Sequence, residues 1–314
     1  MNTTAYFDIT SLLAFLKKSP TVTGLERVQV DTLLAQEAKH DLADSSACIV
    51  FGPDFKWRSV PIKDFCQVFR QSDLADKSWQ AKLSAFAGKV ADSDPVVLAS
   101  GDVVYFLRAS WNTGGYFESL RDLRRGGVRC IFYMHATIPL KFPEYFTSDA
   151  ETVFSYWIYN IAVVADAVIC NSQATRKDFL ALTGFSRPTY VVDLNIGPRF
   201  ALADEKNACS NVLADHGLSL GNYVLMVGTI EPRKNHAAIA SIWNRLGNRF
   251  GDSCPKLVIV GRIGWKAKGI CKHIEMMNSS GRIVHLEAIR DCELAQLYRH
   301  CFFTVYASRY EGWG

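Results

Sequence analysis

The stretch Gly228-Thr229-Ile230-Glu231-Pro232-Arg233-Lys234-Asn235 follows an apolar run, Tyr223 to Val227. It leads straight into a pattern in which Ile239, Ile242, Trp243 and Leu246 recur at i, i+3, i+4 and i+7. Apolar strand, glycine-bearing loop and amphipathic helix in that order are the repeating unit of an α/β sheet. The four apolar side chains mark one buried helix face, and Asn235 stands where an N-cap is expected. Unpaired N–H groups and the positive end of the helix dipole favour an anion at such a helix start. The adjacent cations Arg233 and Lys234 add two groups able to grip phosphate oxygens. A basic turn bathed in solvent is the other reading of that pair, and only its place between strand and helix argues against it.

Outward from this unit, short apolar runs alternate with helical patterns along the chain, which predicts parallel sheets with helices on both faces. In the first half the strand candidates are Tyr6–Ile9, Ala47–Phe51, Val103–Leu107, Cys130–Met134, Ala167–Cys170 and Tyr190–Asp193. In the second they are Tyr223–Val227, Leu257–Val260, Ile283–Leu286 and Phe302–Tyr306. Ser148 to Glu151 reads as a capping box, Asn171-Ser172 as a helix start that Gly184 closes, and Asp291 as the N-cap of a helix buried through Leu294, Leu297, Tyr298 and Cys301. The expected organisation is a Rossmann-like domain over 1–200, a polar linker over 201–220 and a partial Rossmann-like domain over 221–314. The two domains face each other across a cleft, since ligands of open α/β sheets bind outside the carboxyl ends of the strands. The second domain is expected to be incomplete, because no helix pattern follows Phe302–Tyr306.

With 314 residues, 49% of them hydrophobic and 21% charged, the chain has a globular composition and length for two cores. A formal charge of +4 is too small to argue for nucleic acid. The basic cluster Arg121, Arg124, Arg125 and Arg129 has no interleaved aromatics for stacking bases. It reads as a helix end, with an anionic membrane surface or a lipid phosphate as the alternative. The nine cysteines show no CxxC spacing and read as reduced thiols. No secretory signal precedes the first strand and no apolar run approaches the ~18 residues of a membrane span. A cytoplasmic protein is expected, with attachment to the inner face of the membrane left open.

A set of motifs in a fixed order resembles the retaining GT-B glycosyltransferases of family 4. Tyr6-Phe-Asp-Ile-Thr-Ser11 with Thr23-Gly24-Leu-Glu-Arg27-Val28 is similar to the family's first strand and glycine turn, and Gly101-Asp-Val-Val104 with Ala109-Ser-Trp111 to its G-D-V…S-W stretch. Tyr133-Met-His135-Ala-Thr-Ile-Pro139-Leu resembles H-D-x-I-P-L, with Ala136 in place of Asp. Val168-Ile-Cys-Asn171-Ser172-Gln-Ala-Thr-Arg176 resembles V-I-x-N-S-x-x-T-R. In the second half the loop at Gly228 resembles G-T-x-x-x-R-K-N, and Ser308-Arg-Tyr-Glu311-Gly-Trp-Gly314 resembles the opening half of the Glu-x7-Glu signature.

The resemblance implies transfer of a mannose- or glucose-like hexose, with retention, from a nucleoside diphosphate sugar to a glycan or lipid-linked glycan during surface polysaccharide synthesis. It implies that Arg233, Lys234, Gly228 and Gly24 hold the donor diphosphate, the cations offsetting charge on the leaving group. It places His135, as a catalytic group, at the transferred sugar or beside the acceptor. Glu311, the other catalytic group, and Gly312 are placed at the donor sugar, and Trp313 is expected to pack locally. Trp111 and Asn112, with Tyr145 and Phe146, are candidates for an acceptor platform, core packing being the stronger expectation for Phe146. No metal and no resident cofactor are implied. A positive-φ turn is the alternative for Gly24, a satisfied structural histidine for His135 and an exposed tail residue for Glu311. For the whole chain the alternatives are a catalytically dead truncated remnant with a binding role, or another GT-B enzyme such as an epimerase or a phosphorylase.

Overall fold

Apolar runs produce the first sheet: β1 (Ala5–Asp8), β2 (Ser46–Phe51), β3 (Trp57–Pro61), β4 (Val103–Phe106), β5 (Arg129–Met134), β6 (Ala167–Cys170) and β7 (Thr189–Val191). The order across this sheet is β3-β2-β1-β4-β5-β6-β7, and every pair except β2 with β3 is parallel. The second sheet holds β8 (Tyr223–Val227), β9 (Lys256–Val260), β10 (Ile283–Leu286) and β11 (Phe303–Thr304), all parallel, in the order β10-β9-β8-β11. The structure is a computed structural model and describes residues 3–19, 24–39, 45–70, 78–108, 110, 113–192 and 211–313. Trp111 and Asn112, proposed acceptor contacts, lie outside the described residues.

Successive strand residues point to opposite faces, and here both faces are buried. Phe132 joins one core with Ile49, Phe106 and Val168, while its neighbour Tyr133 joins another with Phe7, Cys48 and Val60. In the second sheet Val224, Met226 and Ile259 pack to one side and Tyr223, Leu225 and Val258 to the other. Two buried faces are why these strands read as unbroken apolar runs instead of alternating ones. The fold is α/β in both parts.

The chain divides into two compact units, Met1–Lys141 with Thr152–Leu194 and Gly312–Gly314, and Phe142–Glu151 with Asn195–Glu311. Phe142–Glu151, which the sequence reading kept in the first domain, thus belongs to the second unit. The physical reason is an aromatic anchor: Phe146 stacks on Trp265 with ring centroids 5.3 Å apart, and the Trp265 indole N–H donates to the Tyr145 carbonyl at 2.8 Å. Phe146 is half-buried by that stack.

Several local expectations need correction. Thr147, not Ser148, caps the helix Ser148–Val164, with its hydroxyl accepting from the Ala150 N–H at 3.3 Å. Arg290, not Asp291, precedes the helix Asp291–His300, and the Glu293 carboxylate accepts from its backbone N–H at 2.9 Å. Tyr298 is exposed, and Cys292 with Leu297 supplies the buried face. In the helix His236–Phe250, Ile242 is exposed and fully buried His236 and Ala240 join Ile239 and Trp243. Trp313 is exposed instead of packed. Cys292 is disulfide-bonded, so the expectation of reduced thiols fails at that position. Ser172 and Gly184 behave as read: the Ser172 hydroxyl accepts from the Thr175 N–H at 3.0 Å, and Gly184 takes left-handed backbone at φ 64°. The Arg121 to Arg125 cluster ends the helix Tyr116–Arg125, where Arg121 donates to Asn160 and Arg124 to the Val163 carbonyl.

One close approach fixes the loop after β8. A Cβ added at Gly261, the residue after β9, would lie 2.1 Å from the Gly228 carbonyl oxygen and 3.1 Å from the Thr229 nitrogen. Only glycine lets these two strand ends sit so close. Gly261→Ala is expected to lower the unfolding free energy by about 1–3 kcal/mol, read from urea unfolding. An unchanged midpoint would contradict the close approach.

Candidate functional site

In the second unit the loop between β8 and the helix His236–Phe250 is not an open ribbon. Ile230 buries its side chain, its N–H donates to the Arg262 carbonyl, and Pro232–Lys234 forms a single 3₁₀ turn. Asn235 occupies left-handed backbone at φ 63° and makes no side-chain cap, so it ends the turn without closing the helix start. A helix of 15 residues therefore begins directly behind the two cations.

The cations differ. Arg233 is only 9% exposed, and its guanidinium reaches three acceptors: Glu231 at 2.5 Å, Glu311 at 2.6 Å and the Tyr310 carbonyl at 2.7 Å. Its own carbonyl accepts from the Arg309 N–H at 3.0 Å. Glu231 is 2% exposed, and burial raises its carboxyl pKa against the pull of Arg233 and Lys234. Breaking such a buried pair typically costs about 3–5 kcal/mol, so Arg233 is a strut that ties the loop to the chain segment carrying Glu311.

Lys234 donates to Glu311 at 2.7 Å and to the Tyr306 hydroxyl, with its ammonium 4.6 Å from the Tyr306 ring centroid. Its aliphatic stem passes Gly228, where an added Cβ would meet it at 3.7 Å. Burial raises the Glu311 carboxyl, but the hydrogen bonds from Lys234 and Arg233 outweigh it and hold the group below its ordinary value. His236 lies at the start of the helix with no exposed surface. Burial holds its pKa down to about 4, Lys234 and His285 act in the same direction, and the Gly228 carbonyl opposes them.

In the first unit, His135 follows β5. Its ring nitrogen Nε2 faces the Leu107 carbonyl at 2.9 Å; a carbonyl only accepts, so this nitrogen carries the proton. Burial lowers the His135 pKa to about 4 despite that bond, leaving a neutral ring. Arg108, at the end of β4, pairs with Glu26 from the helix Gly24–Glu37 and stacks over Phe15 at 4.8 Å. Asp8, the last residue of β1, is buried and takes hydrogen bonds from Thr10 and Tyr116; burial raises its carboxyl.

Gly24 opens its helix exposed, and an added Cβ would meet nothing within 4 Å. Packing does not require glycine there. Gly312 is the opposite case, because a Cβ would fall 2.4 Å from the His135 carbonyl. The Gly312 carbonyl accepts from Thr175 Oγ1 at 3.0 Å and from the Ser172 hydroxyl, and Asn171 donates to the His135 carbonyl at 2.8 Å. The missing side chain of Gly312, a residue expected to bring backbone to the donor, admits the His135 backbone. Sequence reasoning missed Asp8, Glu26, Arg108, Glu231 and Tyr306. The available signal was a charged group closing an apolar strand for Asp8 and a carboxylate between Ile230 and Pro232 for Glu231.

Residues 109–193 match the profile of Glycosyltransferase Family 4. The chain aligns at 29% identity over 247 residues with the serotype-specific mannosyltransferase WbdA of Escherichia coli, covering 74% of this chain and 29% of that protein. It aligns at 24% identity with the O-antigen chain mannosyltransferase B of E. coli, covering 79% of this chain and 65% of that one. The chain therefore spans less than a third of the length of the first relatives it matches. Among solved structures, Anabaena HepE in complex with UDP and glucose is similar at TM-score 0.55 and 16% identity, covering 98% of this chain and 74% of that one. Sucrose-phosphate synthase of Thermosynechococcus elongatus is similar at TM-score 0.57 and 13% identity, over 99% and 77%. No helix among the described residues is long and apolar enough to cross a membrane. The chain has the GT-B fold, and its residues 109–193 are similar to Glycosyltransferase Family 4.

Proposed function

We propose that this chain binds a nucleoside diphosphate sugar and contributes to transfer of a mannose- or glucose-like hexose, with retention, onto a glycan or lipid-linked glycan in surface polysaccharide synthesis. The observation that carries the reading is Lys234, a cation on a glycine-bearing loop in front of an uncapped helix start, with the Glu311 carboxylate 2.7 Å away. A diphosphate there meets a mobile point charge and the positive end of a helix dipole. Support for the sugar and the pathway comes from the relatives, which are a mannosyltransferase and an O-antigen chain mannosyltransferase, and from HepE, solved with UDP and glucose.

In this reading Lys234 and Gly228 hold the diphosphate, Arg233 fixes the loop and adds charge, and Gly24 leaves room for a phosphate at the start of its helix. Charge that develops on the departing diphosphate is met by preorganised donors, the usual source of large rate effects. Glu311 stands by the sugar. His135, neutral and donating through Nε2 to Leu107, keeps Nδ1 as an acceptor for a sugar hydroxyl. The reading includes no resident cofactor, and the Arg121 to Arg129 region is its surface for an anionic membrane.

Two outcomes are expected. Lys234→Ala is expected to lower transfer from a nucleotide sugar by about 10²-fold with the unfolding midpoint unchanged; wild-type activity in that variant would remove the central assignment. The second concerns pH. His135 and His236 both have folded pKa values of about 4, below the ordinary 6.5. The unfolded chain therefore takes up protons first, and stability falls as pH drops from 6.5 to 4, by on the order of 3 kcal/mol per histidine. His135→Gln is expected to flatten this slope in urea unfolding between pH 7 and 4; an unaltered slope would show that His135 is not held neutral.

A further inference from the structure

One oxygen of Glu311 is contacted by three donors. Oε1 lies 2.6 Å from Arg233, 2.7 Å from Lys234 and 3.0 Å from the Tyr306 hydroxyl. Two cations and a hydroxyl converging on one anionic oxygen make the coordination that a phosphate oxygen takes from a protein. We propose that Glu311 is a built-in counter-anion, filling the diphosphate position when no ligand is present and exchanged for the diphosphate on its arrival, with Tyr306 as the positioning residue that holds Lys234 and Glu311 together. The proposal rests on the diphosphate reading given above and adds to it a state of the site.

The arrangement favours exchange over a static brace. Arg233 has a second carboxylate, Glu231, and a backbone carbonyl as further partners, so it stays neutralised and fixed whether or not Glu311 moves. Lys234 is bound by Glu311 and by Tyr306, which is itself exposed. A diphosphate that took Lys234 would leave Glu311 one cation, Arg233, and the Tyr306 hydroxyl, and the like charges of carboxylate and diphosphate would drive the carboxylate side chain away. The carboxylate proposed to act at the sugar is then free only when the diphosphate is seated, which orders the two events. The cost is affinity, because the competent state of the free site is only part of its population.

The test is titration calorimetry with inorganic pyrophosphate on the full chain at fixed pH and salt, comparing wild type, Glu311→Gln, Tyr306→Phe and Lys234→Ala, with circular dichroism to check folding. Glutamine keeps the size of the side chain and removes its charge. Glu311→Gln is expected to tighten pyrophosphate binding by about fivefold or more, and Tyr306→Phe, which keeps the ring under Lys234, by a smaller factor. Unchanged or weaker binding in folded Glu311→Gln, against measurable wild-type binding, would make Glu311 a brace and overturn the exchange while leaving the diphosphate site standing. Binding that is undisturbed in Lys234→Ala, or absent in all four proteins, would overturn the diphosphate site and the exchange together.

Discussion

The shared carboxylate of Glu311 is the constraint around which the second unit's site is organised. Two cations two peptide planes from a helix start repel each other and any further positive charge, and without a counter-ion the loop would splay. Glu231 answers this from inside the loop and Glu311 from 77 residues downstream. The buried member of the pair of cations, Arg233, spends its hydrogen bonds on protein. The more loosely held one, Lys234, keeps a compact ammonium on a flexible stem, suited to a ligand that comes and goes.

The same loop depends on two backbone positions that carry no charge. Gly261 lets the end of β9 touch the Gly228 carbonyl, and left-handed Asn235 turns the chain into the helix. The loop's cationic side chains are thus placed by sheet geometry, and the sheet is placed by continuous apolar strands buried on both faces. In the first unit the corresponding strand ends carry Asp8, Arg108 and His135, where burial keeps the histidine neutral and raises the aspartate. Titratable groups with shifted pKa values gathered at the carboxyl ends of parallel strands are the usual mark of a ligand-binding edge in this class of fold.

Most strands were legible because a doubly buried strand has to be apolar along its whole length. β3 escaped because Trp57-Arg-Ser-Val-Pro61 is an antiparallel edge strand, with polar residues and a proline that an edge tolerates. Helix starts were displaced by a residue at Thr147 and Arg290, since several adjacent polar side chains can cap and only packing selects among them. In each unit the candidate groups that local sequence marks are the ones at strand ends: the basic pair after β8 and the histidine after β5. Glu231 was not legible, because nothing local marks it as buried, and Glu311 was named without its contact to Lys234, which lies far off in sequence. Gly312 shows a further limit: nothing in the local sequence announces the His135 carbonyl that a side chain there would meet.

The most direct test of the account is a crystal structure of this protein with UDP or GDP bound. The account predicts phosphate oxygens within hydrogen-bond distance of Lys234 Nζ, at the start of the helix His236–Phe250, with Arg233 still paired to Glu231. A nucleotide whose phosphates lie elsewhere, with Lys234 still bound to Glu311 and Tyr306, would contradict it.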